Sequence, residues 1–85
     1  MNLSEQLFRY ATGYAKRSER AGKGTQHPTF RRAAKRFRCR LADIESACES
    51  YSGDGYMQPA VAIGIPGVGS ADFDCMGDWL VEAYE

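Results

Sequence analysis

Six of the thirteen residues from Pro28 to Arg40 carry fixed positive charge: Arg31, Arg32, Lys35, Arg36, Arg38 and Arg40. No acid interrupts them, and the next charges are Asp43, Glu45 and Glu49 with no base between. Guanidinium and ammonium groups in such density do not make or break bonds; they hold phosphates or carboxylates through charge-assisted hydrogen bonds. The residues that could do covalent chemistry are few. There is one histidine, His27, and there are three scattered cysteines, Cys39, Cys48 and Cys75. None of these, and no serine, sits in a recognisable nucleophile setting, so the chain is not expected to be an enzyme. No CxxC pair is present and the Cys/His spacing matches no zinc-finger pattern, so neither a metal nor another cofactor is expected.

Two glycine-containing stretches invite a nucleotide-binding reading and fail it. "GKGT" at 22–25 lacks the GxxxxGK[ST] frame. Gly64 and the run Pro66-Gly67-Val68-Gly69 lack the strand–loop–helix order that a phosphate loop requires, and read instead as a turn.

A formal net charge of zero conceals a strong division. All eleven Lys and Arg residues lie within residues 1–40, against Glu5 and Glu19, while residues 41–85 hold the other nine acids and no Lys or Arg. The halves are +9 and −9. Five adjacent bases without an interleaved acid repel one another, which favours a polyanion or an acidic partner surface over bare solvent.

The elements that must position these charges follow from apolar spacing. Leu3, Leu7, Tyr10, Ala11 and Tyr14 recur at helical intervals and predict an N-terminal helix over residues 1–20. Asn2 with Glu5 three residues on makes a capping box, with Ser4 as a competing cap. Arg9, Lys16, Arg17 and Arg20 gather toward the helix C-terminus, where they favour its dipole. "AGKGTQHP" breaks the helix, giving a linker over 21–28. A second helix follows from Thr29 to Phe37 and a third from Leu41 to about Tyr51. "YSGDGY" then closes the helical half. From Met57 the pattern changes to period two around a Pro/Gly turn, with Ala71, Phe73 and Cys75 alternating against Asp72 and Asp74. This predicts a β-hairpin over 57–76. For residues 77–85 an extended second strand, a third strand and a terminal helix all remain open. The expected core aromatics are Tyr10, Tyr14, Phe30, Phe37, Tyr51, Phe73 and Trp79.

The stretch "FRRAAKRFRCRLADIESA" resembles the core of a helix-turn-helix. Ala34 stands where that family packs a small residue of the first helix against the second, Phe37 three positions later ends the first helix, Cys39 follows the turn, and Ile44 with Ala47 anchors the recognition helix. With a hairpin following, the chain resembles a small winged helix-turn-helix of α-α-α-β-β order, mainly α with a C-terminal hairpin. The family usually has Gly in the turn where this chain has Arg38; a left-handed Arg38 costs of order 1 kcal/mol.

What the resemblance implies is a sequence-specific DNA-binding regulator, a small dimeric repressor of phage or plasmid type, on double-stranded DNA. Arg31, Arg32, Lys35, Arg36 and Arg38 would hold the DNA backbone. The groove-facing positions would be Arg40, Leu41, Ala42, Glu45, Ser46 and Glu49, with Arg40, Ala42, Glu45 and Ser46 reading bases. The acids of the third helix oppose this, because carboxylates repel phosphates. The alternative is an interaction protein, an inhibitor or adaptor from a mobile element, that docks its basic face on an acidic partner or its acidic residues Asp72, Asp74 and Asp78 on a nucleic-acid-binding protein. Eighty-five residues make one domain with a small core, for which a homodimer is the default. The N-terminus lacks a basic segment followed by an apolar one, and no apolar run approaches the ~18 residues of a membrane span. A cytoplasmic protein with reduced thiols and no membrane partner is expected.

Overall fold

The computed structural model describes residues 2–61 and 76–85. Three helices come first: α1 (Leu3–Arg20), α2 (Phe30–Phe37) and α3 (Leu41–Ser50). Strand β1 (Tyr56–Ala60) then pairs antiparallel with β2 (Leu80–Tyr84), which follows a short 3-10 turn at Met76–Asp78. The arrangement is mainly helical with a two-stranded antiparallel hairpin, the expected α-α-α-β-β order, and its layout is compatible with a winged helix.

Each helix begins where its side chains can close it. The Asn2 side-chain oxygen accepts the Glu5 N–H at 2.9 Å, so Asn2 and not Ser4 caps α1. Ser4 is buried instead, with its hydroxyl 2.8 Å from that of Ser50 across the α1–α3 contact. Thr29 caps α2 by accepting the Arg32 N–H at 3.0 Å. At the start of α3 the Asp43 carboxylate accepts the Arg40 N–H at 3.0 Å. Helix α1 ends in a Schellman motif: the Lys23 N–H donates to the Ser18 carbonyl and the Gly22 N–H to that of Glu19. Gly22 takes the left-handed conformation this motif requires, at φ 75°.

The core is shared by every element. Leu7 and Ala11 from α1 meet Phe30, Ala33 and Ala34 from α2 and Ile44, Ala47 and Cys48 from α3. Met57, Val81 and Ala83 close it from the hairpin. Phe30, Leu7, Ile44 and Val81 are the largest side chains fully withdrawn from solvent, each worth roughly 1.5–3 kcal/mol of burial. Tyr10, Phe37, Tyr51 and Trp79 pack against this cluster while staying partly exposed. Small alanines at 33 and 34 let α2 lie close to its neighbours.

Residues 77–85, left open by sequence, contain the strand that faces β1. Val81 and Ala83 point inward, whereas Leu80, Glu82 and Tyr84 are less covered. The expected strand across Ala71–Cys75, with Phe73, Asp72 and Asp74, lies outside the described residues. On its other side β2 meets the segment before α2. Thr29 bridges Leu80, the Phe30 N–H donates to the Trp79 carbonyl at 2.7 Å, and the Val81 N–H donates to the Pro28 carbonyl at 2.9 Å. That last bond turns the Val81 N–H away from β1, so the pair Pro59–Val81 needs no donor from Pro59. The bridge clamps the N-terminus of α2 to the hairpin and fixes how α2 and α3 are presented. Among the described residues no helix is long and apolar enough to cross a membrane.

Candidate nucleic-acid interface

Helices α2 and α3 are joined by three residues, and the turn forms around Arg38. Its φ of 54° and ψ of 49° put it in the left-handed region, and it is the one non-glycine with positive φ among the described residues. The Cys39 N–H donates back to the Ala34 carbonyl at 3.0 Å, closing α2 over this turn. The frame positions expected from sequence are filled as such: Ala34, Ile44 and Ala47 are buried between the two helices, and Phe37, Cys39 and Leu41 are half-buried around them.

The bases on α2 divide into two stripes. Arg31 and Lys35 lie four residues apart on one side of the helix, Arg38 stands just beyond its end, and all three are exposed. Arg31 leans on the 3-10 turn: its guanidinium lies over Gly77 and comes within 3.9 Å of the Asp78 carboxylate. With Arg31 largely exposed this pair is worth little, of the order of 0–1 kcal/mol. Arg32 and Arg36 form the second stripe, on the side facing α1. The Arg32 guanidinium sits 5.8 Å from the Tyr14 ring centre, and that of Arg36 sits 5.9 Å from the rings of both Tyr10 and Phe37. The five bases expected to hold the DNA backbone are therefore divided between two flanks of α2 and the turn that follows it. Tyr10/Tyr14 and Arg32/Arg36 share the same four-residue interval on facing helices.

The α3 positions expected to face a groove differ in exposure, and Leu41 packs against the core. Ala42, Ser46 and Glu49 are exposed, and Glu45 and Leu41 are half-buried. Arg40, whose side chain is 85% exposed, has its Nε 3.6 Å from the Asp43 carboxylate. Asp43 thus serves the helix start twice, as acceptor for the Arg40 backbone and as a charge near the helix N-terminus. Of the acidic residues expected to meet a partner, Asp78 is mostly covered and stands beside Arg31. Asp72 and Asp74 lie outside the described residues.

The two described thiols near this surface are held in the protonated form. Burial pushes the Cys48 thiol up to about 12, with Glu49 and Glu45 adding to the effect, so it stays protonated. Burial and then Asp43 raise Cys39 as well. His27 lies apart, edge-on to Tyr84 beside the hairpin, with both ring nitrogens covered and no hydrogen-bond partner. Among the described residues no cluster of His, Cys, Asp and Glu could hold a metal ion. No protein-family model matches the sequence, and neither a curated protein nor a solved structure matches the chain.

Proposed function

We propose that this chain binds double-stranded DNA through α2 and α3 and acts as a small transcriptional regulator, a homodimer on a two-fold site. The observation that carries the reading is the α2–turn–α3 unit. Two short helices meet across buried Ala34, Ile44 and Ala47, turn on a left-handed Arg38, and present Arg31, Lys35 and Arg38 beside an outward α3 face of Ala42, Ser46 and Glu49. In this arrangement α2 crosses the phosphate backbone while the start of α3 enters the major groove. Arg31, Lys35 and Arg38 hold phosphates on one flank. Arg32 and Arg36 reach a strand that passes on the α1 side. Arg40, whose ion pair with Asp43 is exposed, swings to a guanine edge at small cost. Glu45 accepts from a cytosine amine, and Ala42 and Ser46 complete the contact.

The test is selection from a random duplex pool, followed by a salt series on the enriched sequences. Five neutralised phosphates predict a log–log salt slope of about −4.5. Arg31→Ala and Arg36→Ala should weaken binding to every duplex, whereas Arg40→Ala should also relax the sequence choice. An unenriched pool together with a shallow slope would remove the proposal.

A further inference from the structure

We propose that the groove between the C-terminal half of α1, the 21–26 loop and the start of α2 is a binding site for a small molecule carrying a phosphate monoester. The groove has a volume of about 350 Å³, walled by Tyr10 and Tyr14 and lined by Arg17, Lys23, Gln26 and Arg32. This is the size of a site for a small ligand. Every charged residue lining it is basic. The three bases come from three separate segments of chain, so they do not form the solvated face of one helix. None of them makes an ion pair among the described residues. An anion entering the groove would meet all three.

The site is also built in advance. The Arg32 guanidinium stands 5.8 Å from the centre of the Tyr14 ring, a cation–π contact that favours its position at the groove wall. Lys23 leaves the chain from the closing residue of the Schellman motif. The loop that carries it is tied to α1 by the Ser18 hydroxyl, which donates to the Gly24 carbonyl at 2.8 Å and accepts the Gln26 N–H at 2.9 Å. Ordering before binding lowers the entropic cost of holding a ligand. Arg17, Lys23 and Arg32 all open onto this one groove, beside the rings of Tyr10 and Tyr14. A terminal phosphate, with two charges and three free oxygens, matches this convergence better than the single charge of a phosphodiester does. The groove shares Arg32 with the proposed DNA-contacting flank, but Arg17, Lys23 and Gln26 belong to it alone, so it does not require the DNA reading.

The experiment is a two-dimensional amide NMR titration of the full chain with three probes: inorganic pyrophosphate, adenosine monophosphate and the phosphodiester dinucleotide TpT. The expected result is saturable shifts at Arg17, Lys23 and Gln26 with the first two probes, and affinity about tenfold weaker for TpT. The double variant Arg17→Ala/Lys23→Ala should lose about tenfold in affinity for adenosine monophosphate at an unchanged melting temperature. Lys23→Gln, in an exposed loop, gives the same direction of change should the double variant fold poorly. Shifts that rise linearly to about 20 mM across all the basic residues would overturn the proposal. Equal affinity for TpT would overturn it too, assigning the groove to a polynucleotide backbone. The DNA reading is judged separately on Arg31→Ala and Arg36→Ala, so each proposal can fail alone.

Discussion

Arg38 carries two opposed demands, and two substitutions at this position separate them. Its left-handed backbone costs an L-residue with a Cβ roughly 1–2 kcal/mol. Glycine removes that cost but loses about 0.5–1 kcal/mol more chain entropy on folding. The net expectation for Arg38→Gly is a gain of about 0.5–1 kcal/mol, since the exposed Arg38 side chain has no ion pair to lose among the described residues. For a domain of this size that raises the melting temperature by about 3–6 °C. Arg38→Ala keeps the Cβ and hence the strain, so it should leave stability within about 0.5 kcal/mol of the parent. Both variants remove one positive charge. On the proposed reading both flatten the duplex-binding salt slope by about 0.9. Thermal melts followed by circular dichroism, together with anisotropy on a fluorescent duplex across a salt series, give both quantities. If Arg38→Gly melts below Arg38→Ala, the left-handed turn is not the strained element described. If the melts behave but the salt slope is unchanged in both variants, Arg38 does not touch phosphate.

Three further outcomes follow from the same geometry. Gly55→Ala should destabilise by roughly 2–4 kcal/mol in a denaturant titration, because φ is 76° and a Cβ would strike the Tyr84 carbonyl oxygen, which is backbone and cannot swing away. Burial lowers the His27 pKa below its ordinary value of 6.5, against a smaller opposing pull from Glu82. The unfolded chain therefore binds the proton more readily, and stability should be lost as pH falls from about 6.5 through the folded pKa, a slope that His27→Phe should flatten in pH-dependent melts. On the proposed reading Glu49→Gln should raise duplex affinity about twofold at low salt, because a carboxylate and a phosphate at a separation on the order of 8 Å would repel by roughly 0.5 kcal/mol in water, and an unchanged affinity would place α3 outside the groove.

Much of the helical half was legible because its signals are local. The Asn2 cap, the glycine that ends α1, the start of α2 at Thr29 and the small-residue crossing at Ala34 each depend on residues within one or two turns. Even the left-handed conformation of Arg38 was readable from its place in the helix-turn-helix frame. The hairpin was legible in kind but not in extent. "LVEAY" alternates weakly, and what makes it a strand is pairing with residues 56–60 on one side and 28–30 on the other, which no local window contains. The two-stripe division of the α2 bases was hidden for a similar reason. Helical spacing separates Arg32 and Arg36 from Arg31 and Lys35, but only the packing of α1 puts tyrosines under the first pair.

The acidic helix beside the basic one is less contradictory than the bare sequence suggests. Asp43 belongs to the helix start: it accepts the Arg40 N–H and lies at the positive end of the α3 dipole, a position worth about 0.3–1 kcal/mol. Glu45 is half-buried, which leaves Glu49 as the exposed carboxylate in the last turn of α3, at the end where the dipole disfavours it. Two outward carboxylates, half-buried Glu45 and exposed Glu49, stand against five exposed bases on α2 and its turn. At physiological ionic strength such charges are screened over about 8 Å, so on the proposed DNA reading their repulsion would act only on the nearest phosphates. On that reading each phosphate neutralised by a base would also release counterions, a gain that two carboxylates do not cancel. The balance of exposed charge here is therefore positive, and the acidity of the C-terminal half bears on α3 through Glu45 and Glu49 far more than through its total charge.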